Sequence, residues 1–461
     1  MLQAAQTRTE VLISQSLAGL RRAKLWMLFT LSLLMICSVS PVLAVPSFAT
    51  QTGQSCVACH AGGQYPELTP YGRIFKLTGY TSGERSTPLA AMVVADYTTT
   101  QNPNDPNVKL DKSGIVNTIS VFLAGKVSDN IGGFAQYTHT LHDSQDANLN
   151  WIGHTGADNF DLRYADRTID ANKDLIWGIT LNNNPSVQDV WNSAPAWSHP
   201  YLTPTQTYGL PASTLVEGAL AQQVAGIGAY AFLNQSFYAE ITSYQTAKDA
   251  LSFLSYGNNT GNPDHPLTSL DGNALYWRAA YTKAWNASNM MVGAFGLDAK
   301  VQPLDGSSMP VSNIGSTHYK DVGIDAQYQY LLSPHTVTAQ LRAMSETIDD
   351  ATGLAYSDGA ATLKTLLAKA SYVYQDRYGT SLSYRTVSGS ADTTAYAASS
   401  SLVPDSEVWT TEFFWLARQN VRLGLQFNLF SRYLGASSNY DGAGRNASDN
   451  NNAYVYLWAA F

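Results

Sequence analysis

The sequence predicts an all-β transmembrane barrel of about 16 antiparallel strands, with a small N-terminal segment plugging its pore. Three observations carry this expectation. Charged residues make up 13% of the 461-residue chain, where a typical soluble protein has about 25%. Segments of strand length alternate apolar and polar residues. Between them, tight turns take turns with long polar loops, as at the two rims of an outer-membrane barrel. The 45% apolar content is dispersed rather than gathered in long runs, and tyrosine is abundant at 27 residues. No basic patch stands out, which argues against a nucleic-acid partner.

Residues 1–44 read as a secretory signal peptide. Arg21, Arg22 and Lys24 supply the positive end, Leu25 to Cys37 an apolar run, and Val42-Leu43-Ala44 a small-residue cleavage site. Cleavage would remove Arg8, Arg21, Arg22 and Lys24 against Glu10, taking the formal charge from −8 to −11. Cys37 would leave with the leader.

Residues 45–87 carry the chemistry. Cys56-Val57-Ala58-Cys59-His60 has the spacing of a c-type haem attachment site. Two thiols three positions apart each reach the macrocycle as a thioether, and the adjacent imidazole reaches the iron as proximal ligand. The competing readings are a redox Cys-x-x-Cys and half of a zinc site; the latter needs a second cysteine pair, and only three cysteines occur in the chain. One covalently attached haem c is therefore expected, with a turn or two of helix around Tyr71 to Leu77. A segment this short cannot bury a haem alone, so the haem must borrow walls from the rest of the chain. Arg73 and Lys76 are candidate propionate partners.

Residues 88–461 read as the porin-like barrel. Asp321 to Tyr330 alternates strictly, and so does Val421 to Asn428; His335 to Arg342 and Tyr378 to Arg385 do so more loosely. Short connections are expected at Ser128-Asp129-Asn130, Asn234-Gln235-Ser236, Asn286 to Asn289, Leu332-Ser333-Pro334, Gln375-Asp376-Arg377 and Arg418-Gln419-Asn420. Long ones are expected at 184–212, 247–271, 302–319, 347–360, 388–405 and 436–451. The runs near Ser213 to Phe232 are ambiguous. Tyr454 to Phe461 is an aromatic strand ending on phenylalanine, the usual signal for barrel insertion in the bacterial outer membrane.

Phe48 to His60, followed by Pro66 to Tyr80, resembles the fused monohaem cytochrome–porins, the outer-membrane iron oxidases of iron-oxidising bacteria. Asn183-Asn184-Pro185-Ser186-Val187-Gln188-Asp189 and Pro195-Ala196-Trp197 are similar to that group as well. The resemblance implies residence in the cell outer membrane of a Gram-negative bacterium. It further implies electron transfer from extracellular Fe(II) to a periplasmic carrier, a cytochrome or a cupredoxin. Carried over residue by residue, it assigns Cys56, Cys59 and His60.

The second axial ligand is open. Met92 on the first strand is a candidate that would raise the potential; His139 and His142 on the third strand and His154 just after it are others. Acidic residues such as Asp321, Asp325 and Glu240 are candidates to attract Fe(II), or simply to solvate a pore. Three functions compete: an electron conduit, a solute porin with a haem-bearing plug, and a soluble cytochrome on a β-sandwich. Housing the haem inside the channel would shorten the path from an outside donor.

Overall fold

The computed structural model describes residues 46–63, 67–103, 108–146, 148–194, 206–257, 267–305 and 309–461. The expected signal peptide, Pro66, and the Pro195-Ala196-Trp197 motif lie outside them. Helices α1 (Pro46–Thr52), α2 (Cys56–Cys59) and α3 (Pro70–Leu77) come first. Sixteen strands succeed them among the described residues, from β1 (Leu89–Thr100) to β16 (Asn452–Ala460). Each pairs antiparallel with its sequence neighbours, and β16 returns to β1 with Met92 opposite Ala460 and Thr100 opposite Asn452. The barrel is closed.

The expected tight turns all join strands. Ser128-Asp129-Asn130 links β2 (Gly114–Lys126) to β3 (Ile131–Gln145), and Gln375-Asp376-Arg377 links β12 (Ala360–Tyr374) to β13 (Tyr378–Gly389). A turn that the sequence does not announce, residues 170–173, joins β4 (Trp151–Ile169) to β5 (Asp174–Asn182). The ambiguous stretch after Ser213 becomes a 3-10 turn, Leu215–Glu217, and then β6 (Val224–Leu233). His154, expected beyond the third strand, lies within β4.

Alternation has the physical meaning expected of it. On β10 (Thr317–Leu332), Val322, Ile324 and Tyr328 are exposed on the outer face, while Asp321, Asp325, Gln327 and Gln329 are buried on the inner one. On β15 (Val421–Arg432), Leu423, Leu425 and Leu429 face out and Arg422, Gln426 and Asn428 face in. Aromatic side chains gather on the outer face towards the short-turn ends, with Tyr164 beside Trp177, Phe237 beside Tyr281 and Trp285 beside Tyr328. A closed barrel leaves no strand edge unpaired in lipid, and an apolar belt with an aromatic girdle completes the pattern. The chain is a barrel of the Gram-negative outer membrane.

Among the described residues several segments reach into the interior, the 3-10 turn Leu215–Glu217 among them, and two others bear on the site. Residues 46–63 and 67–87 dock at the short-turn end, which in such barrels faces the periplasm. Gln51 accepts from the Lys126 amide at 2.8 Å, and Arg85 donates to the Val127 carbonyl. Tyr80 donates to Asp161 at 2.6 Å, and the Tyr230 hydroxyl donates to the Leu77 carbonyl at 2.8 Å. The other segment, Asn183 to Ala194, leaves the top of β5 through the short helix α4 (Pro185–Gln188) and folds inward. Trp191 is 1% exposed there, packed with Leu77, Tyr230 and Tyr238. This inward fold is not legible in the sequence, which reads there as an ordinary polar loop.

Candidate haem attachment site

The site is built on one turn of helix. Cys56 and Cys59 are its first and last residues, and no disulfide joins them. The His60 amide closes the turn on the Cys56 carbonyl at 2.8 Å. Burial pushes the His60 imidazole down to about 3, which keeps it neutral, the form that binds iron. The Cys59 thiol is pushed up to about 11 by burial and by Cys56. The 3-10 turn Ala61–Gly63 comes immediately after, where a Cβ on Gly62 would lie 2.7 Å from Val373 of the wall and φ is +60°. Only glycine passes here without strain.

A return segment, Glu67 to Thr69, runs antiparallel beside the motif. Leu68 bridges His60, the Ala61 amide donates to the Glu67 carbonyl at 2.9 Å, and the Thr69 amide donates to the Cys59 carbonyl at 2.9 Å. Thr69 also caps α3. Its hydroxyl accepts from the Gly72 amide at 3.1 Å and donates to the Ala58 carbonyl at 2.6 Å. Threonine at the cap with proline at the first helical position is a strong start signal. Phe48, Phe75 and Tyr80 form an aromatic cluster that closes α1 onto α3, with Phe48 and Phe75 5.0 Å apart and Phe48 stacked on Tyr80 at 5.3 Å.

The other candidate residues of the sequence are spread over the plug and the wall. Arg73 is buried, donating to the Leu68 carbonyl at 2.9 Å and to Asn289 at 2.8 Å. Lys76 donates to the Val187 carbonyl and stands 3.8 Å from Asp161. Both cations thus have protein partners in the wall and the inward segment. Met92 points inward on β1, where its sulfur accepts from the Trp458 indole at 2.7 Å. His139 meets Thr155, His142 packs on Trp151, and His154 meets the Tyr256 carbonyl; all three lie towards the long-loop end, away from Cys59. Glu240 accepts from Tyr238, Asp321 from the Val216 amide, and Asp325 pairs with Arg278 at 2.5 Å. These carboxylates serve the packing of the interior.

Sequence reasoning misses the wall residues that meet the return segment. Gln329 and Lys369 look like any inward polar position of an alternating strand, and nothing local marks them; Asn289, read as part of a turn, meets Arg73 instead.

No protein-family model matches the chain, and no curated protein matches it. Among solved structures it is similar to Salmonella typhi OmpF in complex with daunomycin, at 12% identity and TM-score 0.44, over 81% of this chain and 97% of that one. It is similar also to OmpT, an outer membrane protein of Vibrio cholerae, at 10% identity and TM-score 0.44, over 81% and 96%. The outer membrane channel DcaP of Acinetobacter baumannii aligns at 11% identity and TM-score 0.45, over 81% and 96%.

Proposed function

We propose that this chain is a porin-like outer-membrane barrel that carries one covalently attached haem c in an N-terminal plug and exchanges electrons at its periplasmic mouth. One observation carries the reading. Cys56, Cys59 and a half-buried His60 share a single turn of backbone, docked inside the short-turn end of the barrel. The donor set fits the group: two thiols for thioether bonds and one imidazole for iron. Bound there, haem supplies one-electron chemistry, and the protein supplies position and potential. The acceptor in this scheme is a soluble periplasmic cytochrome or cupredoxin, which meets the plug from the short-turn side.

The resemblance of residues 48–60 and 66–80 to the cytochrome–porins favours Fe(II) as the donor, which would make the chain an oxidoreductase. The site's depth sharpens that reading. The apolar band of such a barrel is about 25 Å tall, and tunnelling falls steeply with distance. An Fe(II) donor to a group held by Cys56, Cys59 and His60 would therefore have to enter the lumen.

The test is a denaturing gel stained for haem, then visible spectra of the purified protein under argon. A haem band that Cys56→Ser, Cys59→Ser together abolish supports the plug. Prompt reduction by Fe(II) supports iron as donor. A haem that dithionite reduces and Fe(II) leaves oxidised removes iron and keeps the haem-bearing porin; absence of covalent haem removes both.

A further inference from the structure

The return segment Glu67 to Thr69 touches the attachment motif on one side and the barrel wall on the other. On the motif side it pairs with His60, Ala61 and Cys59. On the wall side its first two residues are held by polar groups, with Lys369 half-buried and the others buried. Lys369 of β12 donates to the Glu67 carboxylate at 2.5 Å, and Ser371 donates to it at 3.4 Å. Gln329 of β10 donates to the Leu68 carbonyl at 3.2 Å. Arg73 reaches the same carbonyl at 2.9 Å, and its guanidinium also spans Gln329 at 3.3 Å and Asn289 at 2.8 Å. Arg73 is 4% exposed, Asn289 3% and Gln329 0%.

We infer that the barrel wall sets the geometry of the proximal ligand: Lys369, Gln329 and Arg73 are positioning residues that fix His60 through the wall-anchored segment Glu67 to Thr69. This rests on the haem reading proposed for the plug. The physical reason is mechanical and electrostatic. His60 sits opposite Leu68, so any slip of Leu68 along its bridge tilts the histidine backbone. Buried groups hold that carbonyl because leaving them unpaired is costly. A charged fork with two wall amides is stiffer than a surface contact, since Arg presents its donors in a fixed plane. Arg73 thereby acts on the ligand's backbone rather than on a propionate.

The experiment uses the full-length protein purified in detergent. Lys369→Met and Gln329→Leu each remove one anchor at nearly constant volume; Lys369→Arg keeps the ion pair. Barrel folding is read from heat-modifiable gel migration and haem from the stained band. The expected result is a folded, haem-loaded Lys369→Met and Gln329→Leu whose midpoint potential moves by a tenfold change in the one-electron equilibrium, ~59 mV, while Lys369→Arg stays at the wild-type potential. Unmoved potentials in either folded variant overturn the inference and leave the haem reading intact. A wild type without covalent haem overturns that reading, and this inference with it.

Discussion

Gly72 sits where α3 crosses the attachment turn, and a Cβ there would lie 2.2 Å from the Cys59 carbonyl oxygen. Because the obstacle is backbone, nothing flexible can yield. Gly72→Ala is expected to cost about 1–3 kcal/mol, the usual range for overpacking. Limited proteolysis within residues 46–87 should accelerate about tenfold per 1.4 kcal/mol, with the folded barrel band unchanged; an unchanged cleavage rate would show that α3 does not need this approach. Lys76 provides a second residue-scale test. Burial pulls its ammonium down from 10.5 to about 8, with Asp161 opposing. A lysine depressed in the folded state binds fewer protons than in the unfolded one between those values. Stability therefore rises as pH climbs from about 8 to about 10.5, by up to about 3 kcal/mol at 1.36 kcal/mol per unit. Thermal unfolding of wild type against Lys76→Met over that window reads the difference. The two curves should converge at the alkaline end, and parallel curves would sink the assignment.

At the scale of elements, the inward segment Asn183 to Ala194 is organised by one carboxylate. Asp189 accepts from the amides of Trp191, Ser193 and Ala194 at 3.0, 2.8 and 3.1 Å and from the Ser193 hydroxyl at 2.9 Å, and it stands 3.6 Å from Arg278. Breaking a buried pair from one side costs roughly 3–5 kcal/mol. Arg278 keeps Asp325, so Asp189→Ala should fall at the lower end of that range. Amide exchange in residues 189–194, measured by mass spectrometry, should quicken while that of β5 and β6 stays slow. Exchange that stays slow in the segment itself would mean that Trp191, lodged among Leu77 and Tyr238, holds it unaided. These elements also show where the sequence is readable. Period-two alternation marks β10 and β15 because each has one face in lipid and one inside, and turn residues mark the short rim. The Cys56 to His60 spacing and the Thr69-Pro70 cap are equally local. What stays hidden is non-local. That Lys369 meets Glu67, or that Gln340 donates to the Trp191 carbonyl, depends on how far down the barrel each segment descends. Alternation alone carries no information on that depth, which is why the sequence suggests a plug that shortens an outside donor's path, whereas the plug lies at the far end.

For the whole molecule, the question is whether the plug holds the barrel together or merely occupies it. Closure between β1 and β16 runs in continuous register from Met92 to Thr100 and involves no residue of 46–87. The wall groups that would lose partners, such as Asn289, Gln329 and Asp161, face a lumen where water can replace them, so their removal from the plug leaves no dry, unpaired polar atom. A chain lacking residues 46–87 and otherwise unchanged is therefore expected to insert and to retain heat-modifiable migration. It should conduct ions in planar bilayers above the level of the intact protein and, on the proposed haem reading, lose the stained haem band. If conductance stays at that level in a folded variant, the inward segment and the outer loops close the pore without the plug. If the variant does not fold, the plug is a scaffold for the barrel, and the wall's hold on Glu67 to Thr69 works in both directions.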